Sequence, residues 1–103
     1  MMMYLKVHKT EKGEMIALCD QEVLGKVLKE GKKEMDLKTY SDFYKGALVD
    51  KKQASATINA AQIYSANVVG EESVELLVEI GIVDREQIMK IGNVPFVHIY
   101  TLI

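Results

Sequence analysis

The sequence predicts an α+β fold: a single domain built on a mainly antiparallel β-sheet, with a two-helix layer at about residues 50–81 on one face. Three observations predict it. The chain of 103 residues is long enough to bury one core and too short for two. Both of its ends alternate, or run apolar, in short segments bounded by turn residues, as strands do. Between them, residues 50–81 carry apolar side chains at helical spacing and supply most of the apolar surface available to a core.

In chain order, residues 3–9 read as a strand with Met3, Leu5 and Val7 on one face and Tyr4, Lys6 and His8 on the other. Glu11-Lys12-Gly13 makes a turn in which glycine is free to take a positive φ. Residues 15–19 return as a strand apolar on both faces, which predicts a covered place inside the sheet. Asp20 to Gly25 reads as one helical turn with an aspartate cap and a glycine stop. Residues 26–30 and 32–38 flank Gly31 and alternate apolar with charged side chains, a lysine-rich hairpin expected near the sheet edge. Tyr40, Phe43 and Tyr44 follow as the densest aromatic patch; a short turn capped by Ser41 or Asp42 is expected, with Phe43 in the core and Tyr44 and Lys45 nearer the surface.

The first helix opens at Asp50, whose carboxylate can accept from first-turn amides while Gln53 reaches back to the cap amide. Ala54, Ile58, Ala61, Ser65 and Val68 then fall on one helical stripe, narrow and rich in alanine, so the helix is expected to run to a junction at Asn67-Val68-Val69-Gly70. A second helix starts with Glu71, Glu72 and Ser73, runs through Val74, Leu77 and Val78, and stops at Gly81. Ile82-Val83-Asp84 is a linker, residues 87–91 a strand, and Gly92-Asn93 a tight reversal with Pro95 just inside the last strand. Residues 96–103 are apolar on both faces and are expected to be buried, and Ile58, Leu77, Val78, Phe96 and Ile99 are the predicted core.

The composition is that of a folded domain, with 49% hydrophobic and 27% charged residues. No apolar run is long enough to span a bilayer, and the first residues lack a basic region followed by an apolar one, so neither a membrane segment nor a signal peptide is expected. Cys19 is the single cysteine, which suits a reducing cytoplasm. The net charge of −2 is unevenly laid out: residues 26–52 are lysine-rich, residues 53–70 carry no charge, and residues 71–86 are acidic. Two solvated faces are the plain reading of that layout; a field that steers a partner is the other.

The succession Phe43-Tyr44-Lys45-Gly46, Asn67-Val68-Val69-Gly70-Glu71, Gly81-Ile82-Val83-Asp84 and Ile91-Gly92-Asn93-Val94-Pro95, with the Leu5-Lys6-Val7-His8 opening, resembles a small archaeal family of uncharacterised proteins, the domain of unknown function numbered four-two-four. The resemblance covers nearly the whole chain. This sequence departs from the family's Phe-Tyr-Gly pattern, with Lys45 before a single Gly46. What the resemblance implies is an association with archaeal translation genes, and through it a link to RNA; it brings no catalytic residue, substrate or cofactor.

No catalytic signature stands out. His8, Cys19 and His98 lack paired metal-ligand spacing, so no metal is expected, and Cys19 shows no neighbouring base. The glycines make no phosphate loop, and Glu71, Glu72, Glu75 and Glu79 read as a solvated helix face. The leading expectation is a non-catalytic binding or adaptor protein without cofactor, with Lys26, Lys29, Lys32, Lys33, Tyr44, Lys45, Lys51 and Lys52 facing RNA and the acidic helix facing a basic protein partner. A small enzyme or ligand-binding protein with a pocket near Tyr64 and Asn67 is the competing expectation, and a homodimeric module joined through the alanine-rich helix is the third. Asn67 and Gly70 are candidates for a ligand contact or a structural junction. An unpaired buried amide costs about 1–3 kcal/mol, so Asn67 must bond to main chain or lie open to a ligand.

Overall fold

The structure is a computed structural model and describes residues 2–100. Its main sheet has six strands: β1 (Met2–Thr10), β2 (Gly13–Asp20), β5 (Ala47–Asp50), β6 (Ile63–Val69), β7 (Met89–Ile91) and β8 (Val94–Tyr100). They lie side by side in the order β5-β1-β2-β6-β8-β7. Every neighbouring pair is antiparallel except β2 and β6, which run parallel because the chain crosses over between them. The chain is thus an α+β domain. A separate two-stranded hairpin, β3 (Val27–Glu30) and β4 (Lys33–Asp36), pairs only with itself and lies beside the edge strand β7, where a lysine-rich hairpin was expected. It leans on β7, where Gly92 fits against the Lys29 carbonyl so closely that a Cβ would stand 3.0 Å from that oxygen.

The pleat divides the sheet into two faces. Met3, Leu5, Ile16, Leu18, Ala66, Val68 and Val97 point to one side and are covered by α2 (Lys51–Ala60) and α3 (Glu71–Glu79), through Ala54, Ile58, Val74, Leu76 and Leu77. This is the two-helix layer predicted for residues 50–81. Ala17, Cys19 and Val69 point to the other side, where the short helix α1 (Ser41–Tyr44), Leu37 and Val23 cover them. Asp50 caps α2 as expected: its carboxylate accepts from the Gln53 amide at 2.8 Å and the Gln53 side chain accepts from the Asp50 amide at 3.1 Å. Gly81, at φ +80°, closes α3, with its amide on the Val78 carbonyl and that of Ile82 on Leu77, the paired bonds of a Schellman ending.

The first helix is shorter than its stripe. It stops at Ala60, and residues 63–69 form β6, a central strand, where a helix running on to Asn67 was expected. Ser65, Ala66, Val68 and Val69 are all buried because β6 is covered on both faces, and a strand buried on both sides loses its period of two. What remained was a spacing that a helix also satisfies. Ile63, Tyr64, Val68 and Val69 are β-branched or aromatic, and that preference prevails over the alanines once the chain passes Ala61.

Smaller departures follow from packing. Residues 21–25 form turns rather than a helical turn, because the Asp20 carboxylate is used elsewhere. In α1, no side chain caps the start, and Tyr44 is the buried aromatic while Phe43 is half-buried, the reverse of the expectation. A 3₁₀ turn at Arg85–Gln87, closed by a capping box between Asp84 and Gln87, takes the first part of the expected strand and leaves only β7. Along β8, Val97 is fully buried, Phe96 and Ile99 are half-buried and His98 is exposed. Val78 is likewise half-buried, while Ile58 and Leu77 lie in the core as predicted. Residues 101–103 of the expected last strand lie outside the described residues.

Candidate binding cleft

The face opposite the helices is incompletely covered, and α1 defines the limit of its cover. Two β1 side chains tether that turn. The Lys6 ammonium donates to the Asp42 carbonyl at 2.7 Å, and the His8 ring donates through Nε2 to the Phe43 carbonyl at 2.9 Å. The His8 and Phe43 rings also stack, with centroids 4.7 Å apart, and Phe43 meets Tyr44 edge-on at 5.1 Å. Tyr44 then turns into the core beside Cys19, and burial pushes its phenol up to about 12. Burial, helped by the charges of Asp20 and Glu22, pushes the Cys19 thiol to about 12 as well, so at neutral pH it is a protonated packing group with no thiolate to offer.

The second wall is the end of the β3–β4 hairpin and the loop after it. Asp36 Oδ1 accepts from the Lys38 and Thr39 amides at 3.0 and 2.8 Å, an Asx turn that fixes the loop. The Thr39 amide and hydroxyl, with the Lys38 amide, hold the Asp36 carboxyl below its ordinary pKa. Leu37, fully buried, anchors the same loop, bonding through its amide to the Lys26 carbonyl and through its carbonyl to the Gly25 amide.

Between these walls lies a cleft of about 400 Å³ whose floor is the sheet itself. Asn67 of β6 and His98 of β8 are register partners, adjacent on the same face and both open to the cleft. Phe43, Tyr44 and Tyr40 form the aromatic wall, and Glu34 and Asp36 the acidic one. The Asn67 side-chain amide forms no hydrogen bond with any described residue. Partial burial lowers the His98 pKa and so favours its neutral ring. The cleft therefore combines flat apolar faces, one amide, one neutral imidazole and two carboxylates.

The sequence-predicted residues are only partly brought together. Asn67 and Tyr44 line the cleft; Tyr64 does not. Tyr64 falls where the β2–β6 register shifts, beside the β1–β2 turn and under the Lys12 ammonium, 5.6 Å from its ring centroid. Lys26, Lys29, Lys32 and Lys33 are exposed on the hairpin and Lys45 follows α1, all on the side opposite the helices. Lys51 and Lys52 begin α2, on the other side of the sheet, so the eight residues do not form one surface. The expected separation of charge also fails: Lys51 is ion-paired with Glu79 of the acidic helix. These two lysines and Glu79 border a larger hollow of about 530 Å³ between α2 and α3, which is mainly apolar.

Gly70 is a structural junction. At φ +112° it joins β6 to α3, and a Cβ there would stand 2.6 Å from both Asp20 carboxylate oxygens. Asp20 supplies the cap that glycine lacks: it accepts from the Ser73 amide at 2.8 Å, the Ser73 hydroxyl at 2.7 Å and, from 52 residues away, the Glu72 amide at 3.1 Å. His8 and His98 stand on β1 and β8 with two strands between them, and among the described residues no cluster of three metal-ligating side chains occurs. Sequence reasoning missed the cleft roles of Glu34, Asp36 and His98. The spacing from Asp36 to Thr39 was a legible Asx-turn signal, whereas His98 became adjacent to Asn67 only through strand register.

A family model described as "Protein of unknown function (DUF424)" matches residues 7–102. No curated protein matches the chain. Among solved structures, an uncharacterized conserved protein from Methanopyrus kandleri is similar at a TM-score of 0.84 and 28% identity, over 97% of this chain and 91% of that one. Among the described residues no helix is long and apolar enough to cross a membrane.

Proposed function

The chain belongs to the family of proteins of unknown function DUF424, and from that premise we propose that it is a non-catalytic binding protein whose recognition site is the cleft between the β3–β4 hairpin, α1 and the sheet. One observation carries the reading: the Asn67 amide stands beside His98 on the cleft floor, facing the α1 aromatics, with no hydrogen bond to a described residue. An amide so placed can donate and accept at the edge of a planar group while the rings hold its faces. Binding is favoured over chemistry because the cleft side chains form no nucleophile and base pair: the nearest thiol, Cys19, is in the core and protonated.

The test is a titration of the ¹⁵N-labelled chain with small planar fragments, both neutral and cationic. Shifts are expected at Asn67, His98, Asp36 and Tyr40, and Asn67→Ala is expected to weaken binding while leaving the melting temperature unchanged. Fragments that bind only elsewhere, or an Asn67→Ala protein that is chiefly destabilised, would overturn the reading. RNA contact at the outer face of the hairpin, in keeping with the translation link that the resemblance implies, is a second reading. Its support is the exposure of Lys26, Lys29, Lys32 and Lys33 on one short element beside exposed Tyr40.

A further inference from the structure

We propose that the cleft takes the side chain of an arginine presented by a basic segment of a partner protein. This deepens, and rests on, the reading of the cleft as the binding site. The charge of the lining decides the class of ligand. Glu34 and Asp36 border the cleft, and no lysine or arginine lines it, although the hairpin that forms its wall is rich in lysine. Lys29, which does not line the cleft, pairs with Glu34 at 3.8 Å in an exposed ion pair. The Thr39 and Lys38 amides favour the Asp36 carboxylate, and partial burial favours the uncharged form of His98. A phosphate or carboxylate entering this space meets two lining carboxylates and no lining cation, Lys29 and Lys38 lying beside Glu34 and Asp36 but not among the residues that border the cleft, so an anionic ligand is disfavoured and a cation is attracted.

The walls choose among cations. A guanidinium is planar, more weakly hydrated than an ammonium, stacks on aromatic faces and presents its donors as a fork that carboxylates match. The cleft offers the half-buried ring of Phe43, one face of which already stacks on His8, with the small open part of Tyr44 beside it, and Glu34, Asp36 and the Asn67 carbonyl for the guanidinium edge. Tyr40 favours a side chain on a longer partner over a free small molecule. It stands at the lip, 67% exposed, where it has little to give to a group enclosed in the cleft and much to give to residues flanking an inserted one.

The experiment titrates the full ¹⁵N-labelled chain with the capped peptide acetyl-Gly-Arg-Gly-amide, its citrulline and lysine counterparts, and adenosine as a neutral planar probe. The arginine peptide is expected to shift Asn67, His98, Asp36 and Tyr40 and to bind at least tenfold more tightly than the citrulline peptide, with lysine between them. Glu34→Gln with Asp36→Asn is expected to abolish that difference with the melting temperature unchanged, since the side-chain amide introduced at position 36 keeps an oxygen for the Lys38 and Thr39 amides. Equal binding of the arginine and citrulline peptides, shifts mapping outside the cleft, or an affinity unmoved by the double substitution would each refute the proposal. Adenosine entering the cleft where the arginine peptide does not would refute it and leave the cleft reading standing; no probe entering the cleft would overturn both.

Discussion

At the scale of single residues, Asp20 does more than its position suggests. It was legible as a helix cap, since aspartate before a short run and a glycine has that form, but the helix it caps is α3, and residues 21–25 beside it form turns. The reason is local: Gly70, the N-cap residue of α3, has no side chain to accept from the first-turn amides, and the parallel pairing of β2 with β6 brings Asp20 to the same end of the sheet. Asp20→Ala would leave the Glu72 and Ser73 amides and the Ser73 hydroxyl without their acceptor, a loss expected to cost about 2–4 kcal/mol. Asp20→Asn, which keeps one acceptor oxygen, should cost less. Gly70→Ala, which combines a positive φ with a collision against Asp20, should cost at least about 1–3 kcal/mol. Urea denaturation measures all three, and an Asp20→Ala protein within about 0.5 kcal/mol of the parent would show that the cap is dispensable.

At the scale of elements, the strands that alternate and the helix ends that carry caps were legible, and the stretch with neither signal was not. β1, the Asp50 cap and the Gly81 ending were each specified by residues acting within one turn or one pleat. β6 has the spacing of a helix because its environment, covered on both faces, is set by elements far away in the chain. The packing of α1 on β2 is similar, since nothing local determines which of Phe43 and Tyr44 goes inside. That contact has a consequence in alkali. Cys19 and Tyr44 both have pKa values of about 12 in the folded protein, against ordinary values of 9.0 and 10.0. Between these limits the unfolded chain releases protons that the folded one retains, so stability present below about pH 9 is lost as the pH rises toward 12. Thermal melts across that range should show the fall, and Tyr44→Phe, which keeps the ring and removes the titrating hydroxyl, should make it shallower. A fall equally steep in Tyr44→Phe would assign the effect to other groups.

At the scale of the whole molecule, charge along the sequence and charge in space are different quantities. Residues 26–52 look like one basic block, yet the chain carries Lys51 and Lys52 to the helix side of the sheet, where Lys51 pairs with Glu79, and leaves Lys26, Lys29, Lys32 and Lys33 on the hairpin. Of these four, Lys29 is shared with Glu34. Sequence alone could reveal the sum and not the partition, because the sheet that separates the two groups is assembled from strands outside the block. The partition sets a ceiling for RNA. Each phosphate neutralised on a single strand contributes about −0.7 to the slope of log affinity against log salt, so four hairpin lysines allow a slope no steeper than about −3, where seven convergent lysines would reach about −5. Titration of labelled single-stranded RNA at several salt concentrations reads that slope directly. A value near −3, or about −3.5 if Lys45 on the same side joins them, abolished when Lys26, Lys32 and Lys33 are changed to glutamine, would fit contact through the hairpin, whereas a slope near −5 would require Lys51 and Lys52 to reach the same strand across the sheet, which the arrangement of the elements does not allow.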